Sequence, residues 1–135
     1  MRVDFLQVVV GIIKANQRIL IALRNNHQVG GNRWEFPGGK IEPLETPEAA
    51  LGRELQEEIG ISVKKARFLE TVEHHYPSYA VQLHVFEVVD YEGQPRGMEN
   101  QLIEWADVET LQKRSFLKAN DEIMVLLEKY EILSM

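Results

Sequence analysis

The chain of 135 residues carries 21 Asp and Glu against 15 Lys and Arg, a formal net charge of −6, and no cysteine. Its length predicts one domain over residues 1–135, with a core that needs neither disulfides nor a structural metal. The missing thiols exclude disulfides and cysteine catalysis and suit a reducing cytoplasm, while the acidic balance argues against generic binding to long nucleic acid.

Phe5 to Ile13, rich in Val and Ile, reads as a buried strand. Its apolar run is too short for a membrane span and, preceded by Asp4, does not read as a secretory signal. Ile19 to Leu23 reads as a second strand, joined to the first through polar Lys14 to Gln17 as a hairpin. Asn25 to Asn32 is loop-like, with Gly30 and Gly31 as breakers. Trp34 to Phe36 is a short extended piece that runs into Pro37-Gly38-Gly39, where the backbone can turn sharply and approach a ligand closely.

Thr46-Pro47 predicts a helix start, a capping hydroxyl followed by proline at the first helical position, and Gly60 predicts its stop. Between them Leu51, Leu55 and Ile59 form an apolar stripe. Gly52, mid-helix, costs roughly 1 kcal/mol relative to alanine, which suggests close packing against a sheet. Farther on, Ala66 to Glu73, Val81 to Val89 and Leu102 to Trp105 read as strands and Asp107 to Gln112 as a short helix. Asp121 to Ile132 reads as a terminal helix with Ile123, Leu126, Leu127 and Tyr130 turned inward. With no repeat or linker, the pattern is α+β, or a mixed-sheet sandwich of α/β/α type.

The stripe-bearing helix also carries Glu54, Glu57 and Glu58, an i, i+3, i+4 spacing that gathers three carboxylates within an arc of roughly 100°. Such like charges repel by about 0.2–0.5 kcal/mol per pair on an exposed helix, and Arg53 is the basic residue beside them. Hard cations on that face would relieve the repulsion, because Mg²⁺ takes carboxylate oxygen and shares its remaining sites with water and phosphate. A solvated acidic face is the plainer alternative. His74-His75 does not read as a metal pair, since adjacent strand residues point to opposite faces.

The string from Gly39 to Ile61, GKIEPLETPEAALGRELQEEIGI, resembles the Nudix box, G-x5-E-x7-R-E-U-x-E-E-x-G-U with U aliphatic. Its fixed positions fall on Gly39, Glu45, Arg53, Glu54, Leu55, Glu57, Glu58, Gly60 and Ile61. The resemblance implies a Nudix-type α/β/α sandwich with a mixed sheet between helices. It also implies Mg²⁺ or Mn²⁺ as cofactor and hydrolysis of a nucleoside diphosphate linked to another group. Glu54, Glu57, Glu58 and the backbone carbonyl of Gly38 would be metal ligands, Arg53 would orient the carboxylates, and Glu45 would tie loop to helix. Glu54 would accept the water's proton, with Glu57 and Glu99 as rivals. Lys40 would contact phosphate, or is simply solvated.

Beyond the box, VGII, EFPGGKIE and the stretch EGQPRGMENQLIEW over residues 92–105 resemble the MutT-like branch of the family. That branch implies cleavage of 8-oxo-dGTP to the monophosphate and pyrophosphate, with Glu99 added to the metal site. Asn120, in FLKANDEI, matches a base-reading asparagine but is also placed to be a helix N-cap. The paired prolines expected before it are replaced by Leu117-Lys118. Arg24 matches a base- or phosphate-contacting arginine, and Phe36, Leu6 and Val8 match walls of the base pocket, the two aliphatics serving mainly as core. The implied partner is a small nucleotide, not a membrane or long nucleic acid. Alternatives are a pyrophosphatase for CTP, dCTP or ADP-ribose, and a non-catalytic nucleotide sensor.

Overall fold

The computed structural model describes residues 4–25 and 31–134. Most of the loop expected at Asn25 to Asn32 lies outside them. The first strand, β1 (Phe5–Ala15), is apolar on both faces, and the architecture follows from that. Val10 and Ile12 point into one core layer, Val9 and Ile13 into the other, so the strand must be covered on both sides.

β1 pairs in parallel with β6 (Ala80–Glu92), which pairs antiparallel with β5 (Ser62–His75). On its other edge β1 has two successive partners. Near its end, Lys14 and Ala15 pair with β2 (Arg18–Leu23); nearer its start, Val8 to Val10 pair with β4 (Gly38–Lys40). β3 (Trp34–Glu35) and β7 (Ile103–Ala106) both pair with β2. Phe36 and Pro37 therefore carry the chain from the edge of β2 to the edge of β1, and the site lies where the sheet splits there.

The helix α1 (Pro47–Ile59) covers one face and α3 (Lys118–Lys129) the other, with the short α2 (Val108–Lys113) beside β7. Leu51, Leu55 and Ile59 pack with Val9, Ile13, Phe86 and Val88, while Ile123, Leu126 and Leu127 pack with Val10, Ile12 and Val85. The expected mixed sheet between helices is what forms. Among the described residues, no helix is long and apolar enough to cross a membrane.

Helix α1 begins and ends where the sequence places it. Thr46 Oγ1 accepts from the Ala49 N–H at 3.1 Å, and Gly60 closes the helix at φ +70°. Four expectations need correction. Gly52 is not packed against the sheet: a Cβ built there meets nothing within 4 Å. Replacing Gly52 with alanine is therefore expected to stabilise the fold by about 0.5–1 kcal/mol, since it restricts the unfolded chain without a clash. Chemical denaturation would read this as a higher midpoint at constant slope. Second, Gly38-Gly39 form strand β4 rather than a turn. Third, α3 starts three residues before Asp121 and ends at Lys129, with Tyr130 as its half-buried C-cap. Asn120 is thus inside the first turn and is not the N-cap, a position held by Leu117 without a side-chain hydrogen bond. Fourth, β5 and β6 extend well beyond their apolar cores, because polar ends pair as readily once the register is set.

Candidate active site

Two hollows adjoin at the split in the sheet and share Arg24, Glu35 and Gly38 as walls. The smaller, about 200 Å³, is lined by the carboxylates of Glu35, Glu54, Glu58 and Glu99. They arrive from three parts of the chain: Glu54 and Glu58 from α1, Glu35 from β3, and Glu99 from the loop after β6. The helix and that loop are stitched together by the Glu58 carbonyl, which accepts from Met98 N–H and from Gln101 Nε2, both at 3.0 Å.

Arg53 organises the outer side. Its Nε and Nη2 donate to Glu45 at 2.8 and 2.9 Å, its Nη1 donates to Glu54 at 2.9 Å and, more loosely, to Glu57 at 3.4 Å, and Nη2 also reaches the Lys40 carbonyl at 3.0 Å. The Arg53 hydrogen bond, with help from the Glu42 N–H, holds the Glu45 carboxyl down at about 2. Glu45 and Arg53 thereby fasten the segment before α1 to the helix.

Glu58 is buried, and its Oε2 accepts from the Gly38 N–H at 3.1 Å. Burial pushes its carboxyl up to about 8, and the charges of Glu35, Glu99 and Glu54 push the same way against the Gly38 bond. Burial also raises Glu54 and Glu35, opposed in each case by the paired arginine, Arg53 or Arg24. Negative charge here is crowded beyond what the arginines offset. The two glycines permit the crowding: a Cβ on Gly38 would strike the Val9 backbone, and one on Gly39 would overlap the Glu54 carboxylate.

Of the sequence-predicted acidic residues, the structure gathers Glu54, Glu58 and Glu99. Glu57 stands at the rim, its side chain 60% exposed and turned toward Arg53. Glu35 was not foreseen; its place depends on the β2–β3 register, which sets it opposite Ala22 and brings Arg24 Nη1 to 2.9 Å. Among the described residues no three carboxylate or imidazole groups converge on one point as a finished ligand set. Glu54 is held to Arg53 through Oε1 and Glu58 to the Gly38 N–H through Oε2, so each keeps a second carboxylate oxygen for another partner. His74 and His75 share no site, one packing edge-on to Tyr76 and the other against Phe5.

The larger hollow, about 840 Å³, is mostly apolar. Leu6, Val8, Phe36 and Leu83 line it, with Lys40 and Asn120 among its polar members beside the shared Arg24 and Glu35. Leu6 is 37% exposed and faces open space more than the core role expected of it, whereas half-buried Val8 packs against the core as well as lining the cleft. The Phe36 ring stacks on Phe116 with centroids 5.4 Å apart, and its N–H donates to Asn120 Oδ1 at 3.0 Å. Because that partner is a donor, the Asn120 atom facing it must be oxygen, which fixes which way the amide lies. An apolar cleft of this size with a few oriented polar groups suits a small ring-containing ligand. The acidic hollow beside it suits hard cations, and through them phosphate.

A sequence model of the NUDIX domain matches residues 5–127. The chain is 40% identical over 125 residues to an 8-oxo-dGTP diphosphatase of Escherichia coli, covering 92% of this chain and 97% of that protein. It is also 34% identical over 104 residues to a CTP pyrophosphohydrolase of Escherichia coli, covering 77% of each. Among solved structures it resembles a chain from work on MutT of Aliivibrio salmonicida and Vibrio cholerae. There the TM-score is 0.79 and the identity 32%, over 94% of this chain and 99% of the other.

Proposed function

The chain belongs to the Nudix family of hydrolases acting on phosphoanhydride bonds, and on that premise we propose that it converts 8-oxo-dGTP to 8-oxo-dGMP and diphosphate, clearing the oxidised nucleotide from the cytoplasmic pool. The observation that carries the substrate is the Asn120 amide, pinned by the Phe36 N–H inside an apolar cleft that opens onto a carboxylate cluster.

The base chemistry follows from that amide. Guanine offers acceptors at N7 and O6; oxidation at C8 places a proton on N7 and makes it a donor. Asn120 Oδ1 has a second lone pair beyond the one used by Phe36, and Nδ2 is a donor beside it. The pair complements N7–H and O6 of the oxidised base, whereas unoxidised guanine would set the N7 lone pair against the amide oxygen. Leu6, Val8 and Leu83 supply apolar surface for the purine, with Phe36 as the floor.

The donor set around the smaller hollow fits divalent Mg²⁺ or Mn²⁺, since four glutamates are among its lining residues and a cation would relieve their mutual repulsion. Glu54, Glu58, Glu99 and the Gly38 carbonyl would hold it, with Glu57 at the outer side. Bound there, such ions neutralise phosphate charge and acidify water. Glu54 takes the water's proton, held at the edge of the hollow by its bond from Arg53. Arg53 and Glu45 hold the geometry, and Arg24 and Lys40 meet the phosphate chain where the hollows join.

A nucleotide panel tests the reading. With Mg²⁺ and separately Mn²⁺, diphosphate release is expected to be fastest by kcat/KM on 8-oxo-dGTP, ahead of dGTP, CTP and ADP-ribose. A large preference for CTP or for unoxidised dGTP would overturn the substrate while leaving the hydrolase.

A further inference from the structure

The turn between β5 and β6 places two tyrosines at the mouth of the larger hollow, and the activity described above uses neither. We propose that Tyr79 is a nucleotide-binding residue that lays its ring on the face of the bound base, closing the cleft opposite Phe36. This rests on the reading of the cleft as a nucleoside site.

Three observations point to it. Tyr79 lines the hollow from the turn just before β6, together with Val81 and Leu83 of that strand. The residue is nevertheless 47% exposed, an aromatic surface beside an apolar cleft that a planar ligand would cover. The ring is also supported from behind. It stacks on Tyr76 with centroids 4.9 Å apart and planes 22° from parallel, and the Tyr76 N–H donates to the Tyr79 carbonyl at 2.7 Å.

Tyr76 itself is anchored. Its hydroxyl accepts from the Ala119 N–H at 3.1 Å, in the first turn of α3, and its ring meets His74 edge-on at 4.6 Å. The bond to Ala119 satisfies a donor that the uncapped start of α3 leaves open. The same tyrosine thus fixes the turn to the helix that carries Asn120, and presents Tyr79 as an outer leaf on a firm support. Stacking uses the face of a base, Asn120 its edge. The two therefore divide affinity and discrimination between them.

The test is calorimetric titration with 8-oxo-dGMP, dGMP and CMP, each with Mg²⁺, on the native protein, Tyr79→Ala and Tyr79→Phe. A stacking contact is worth a factor of roughly ten in affinity. Tyr79→Ala should lose about that factor on every monophosphate the native protein binds, leaving their ratios unchanged. Tyr79→Phe, which keeps the ring, should stay within about twofold. The turnover counterpart is a rise in KM rather than a fall in kcat. Equal affinity in native protein and Tyr79→Ala, a loss confined to one base, or a Phe variant as weak as Ala would each overturn the proposal. Should CMP bind best, the 8-oxo-dGTP reading fails while the Tyr79 comparison is still read on CMP. Tyr79 supports the fold only through its stacking on Tyr76, so Tyr79→Ala should lower the melting temperature by no more than a few degrees, which separates lost stacking from lost fold.

Discussion

Replacing Glu58 with glutamine is expected to lower kcat by roughly 10²–10³-fold and, in the metal-free protein at neutral pH, to raise thermal stability. The second effect separates a carboxylate kept for function from one kept for structure. Burial and three neighbouring carboxylates lift the folded-state value of Glu58 from 4.5 to about 8. Between those two values the folded protein holds a proton that the unfolded chain has released, so stability falls as pH rises through the window. By neutral pH the shift amounts to about 3 kcal/mol of lost stability. Glutamine keeps an acceptor for the Gly38 N–H and carries no charge, so it escapes the penalty. Melting curves in chelator at about pH 6 and about pH 8 should show this contribution weakening the native protein and sparing the variant. Added Mg²⁺ should then stabilise the native protein and leave the variant nearly unmoved. If the variant melts lower at the higher pH, Glu58 is structural and its place in the proposed cation site is wrong.

The helix that carries these groups could be read almost entirely from the sequence, because its signals are local. Thr46, Pro47 and Gly60 act within a turn of themselves, and Leu51, Leu55 and Ile59 report a face through spacing alone. What escaped depends on pairing between distant segments. Glu35 joins the site through the β2–β3 register. Periodicity puts Glu57 in one arc with Glu54 and Glu58, but only the tertiary structure shows that its side chain stands at the exposed outer edge of that arc, beside Arg53.

The start of α3 at Lys118 is illegible in the sequence for the same reason. Its open first turn is satisfied by the hydroxyl of Tyr76, 43 residues earlier, and no local capping residue announces it. Gly38 and Gly39 read as a turn because paired glycines usually signal backbone freedom. Here the requirement is the missing Cβ, which lets a strand lie against Val9 and under the Glu54 carboxylate.

That corrected helix start decides what Asn120 can do. A capping asparagine would spend its side-chain oxygen on its own helix, and its loss would weaken the fold without touching substrate choice. Inside the first turn, Asn120 instead turns that oxygen to Phe36 and keeps its amide nitrogen for the cleft. Asn120→Ala is therefore expected to cut kcat/KM for 8-oxo-dGTP by roughly 10²-fold or more, the loss of two polar contacts in a dry site. Turnover of dGTP, which gains little from the amide, should fall only a few-fold, so the ranking of the two substrates collapses. Asn120→Asp sharpens the point. It retains an acceptor for both Phe36 N–H and base N7–H while losing the donor to O6, so it should bind both nucleotides more weakly yet still prefer the oxidised one. Steady-state kinetics on the two substrates with the three proteins reads all of this. Equal losses on both substrates in Asn120→Ala would mean that the amide supports Phe36 and the helix but does not read the base.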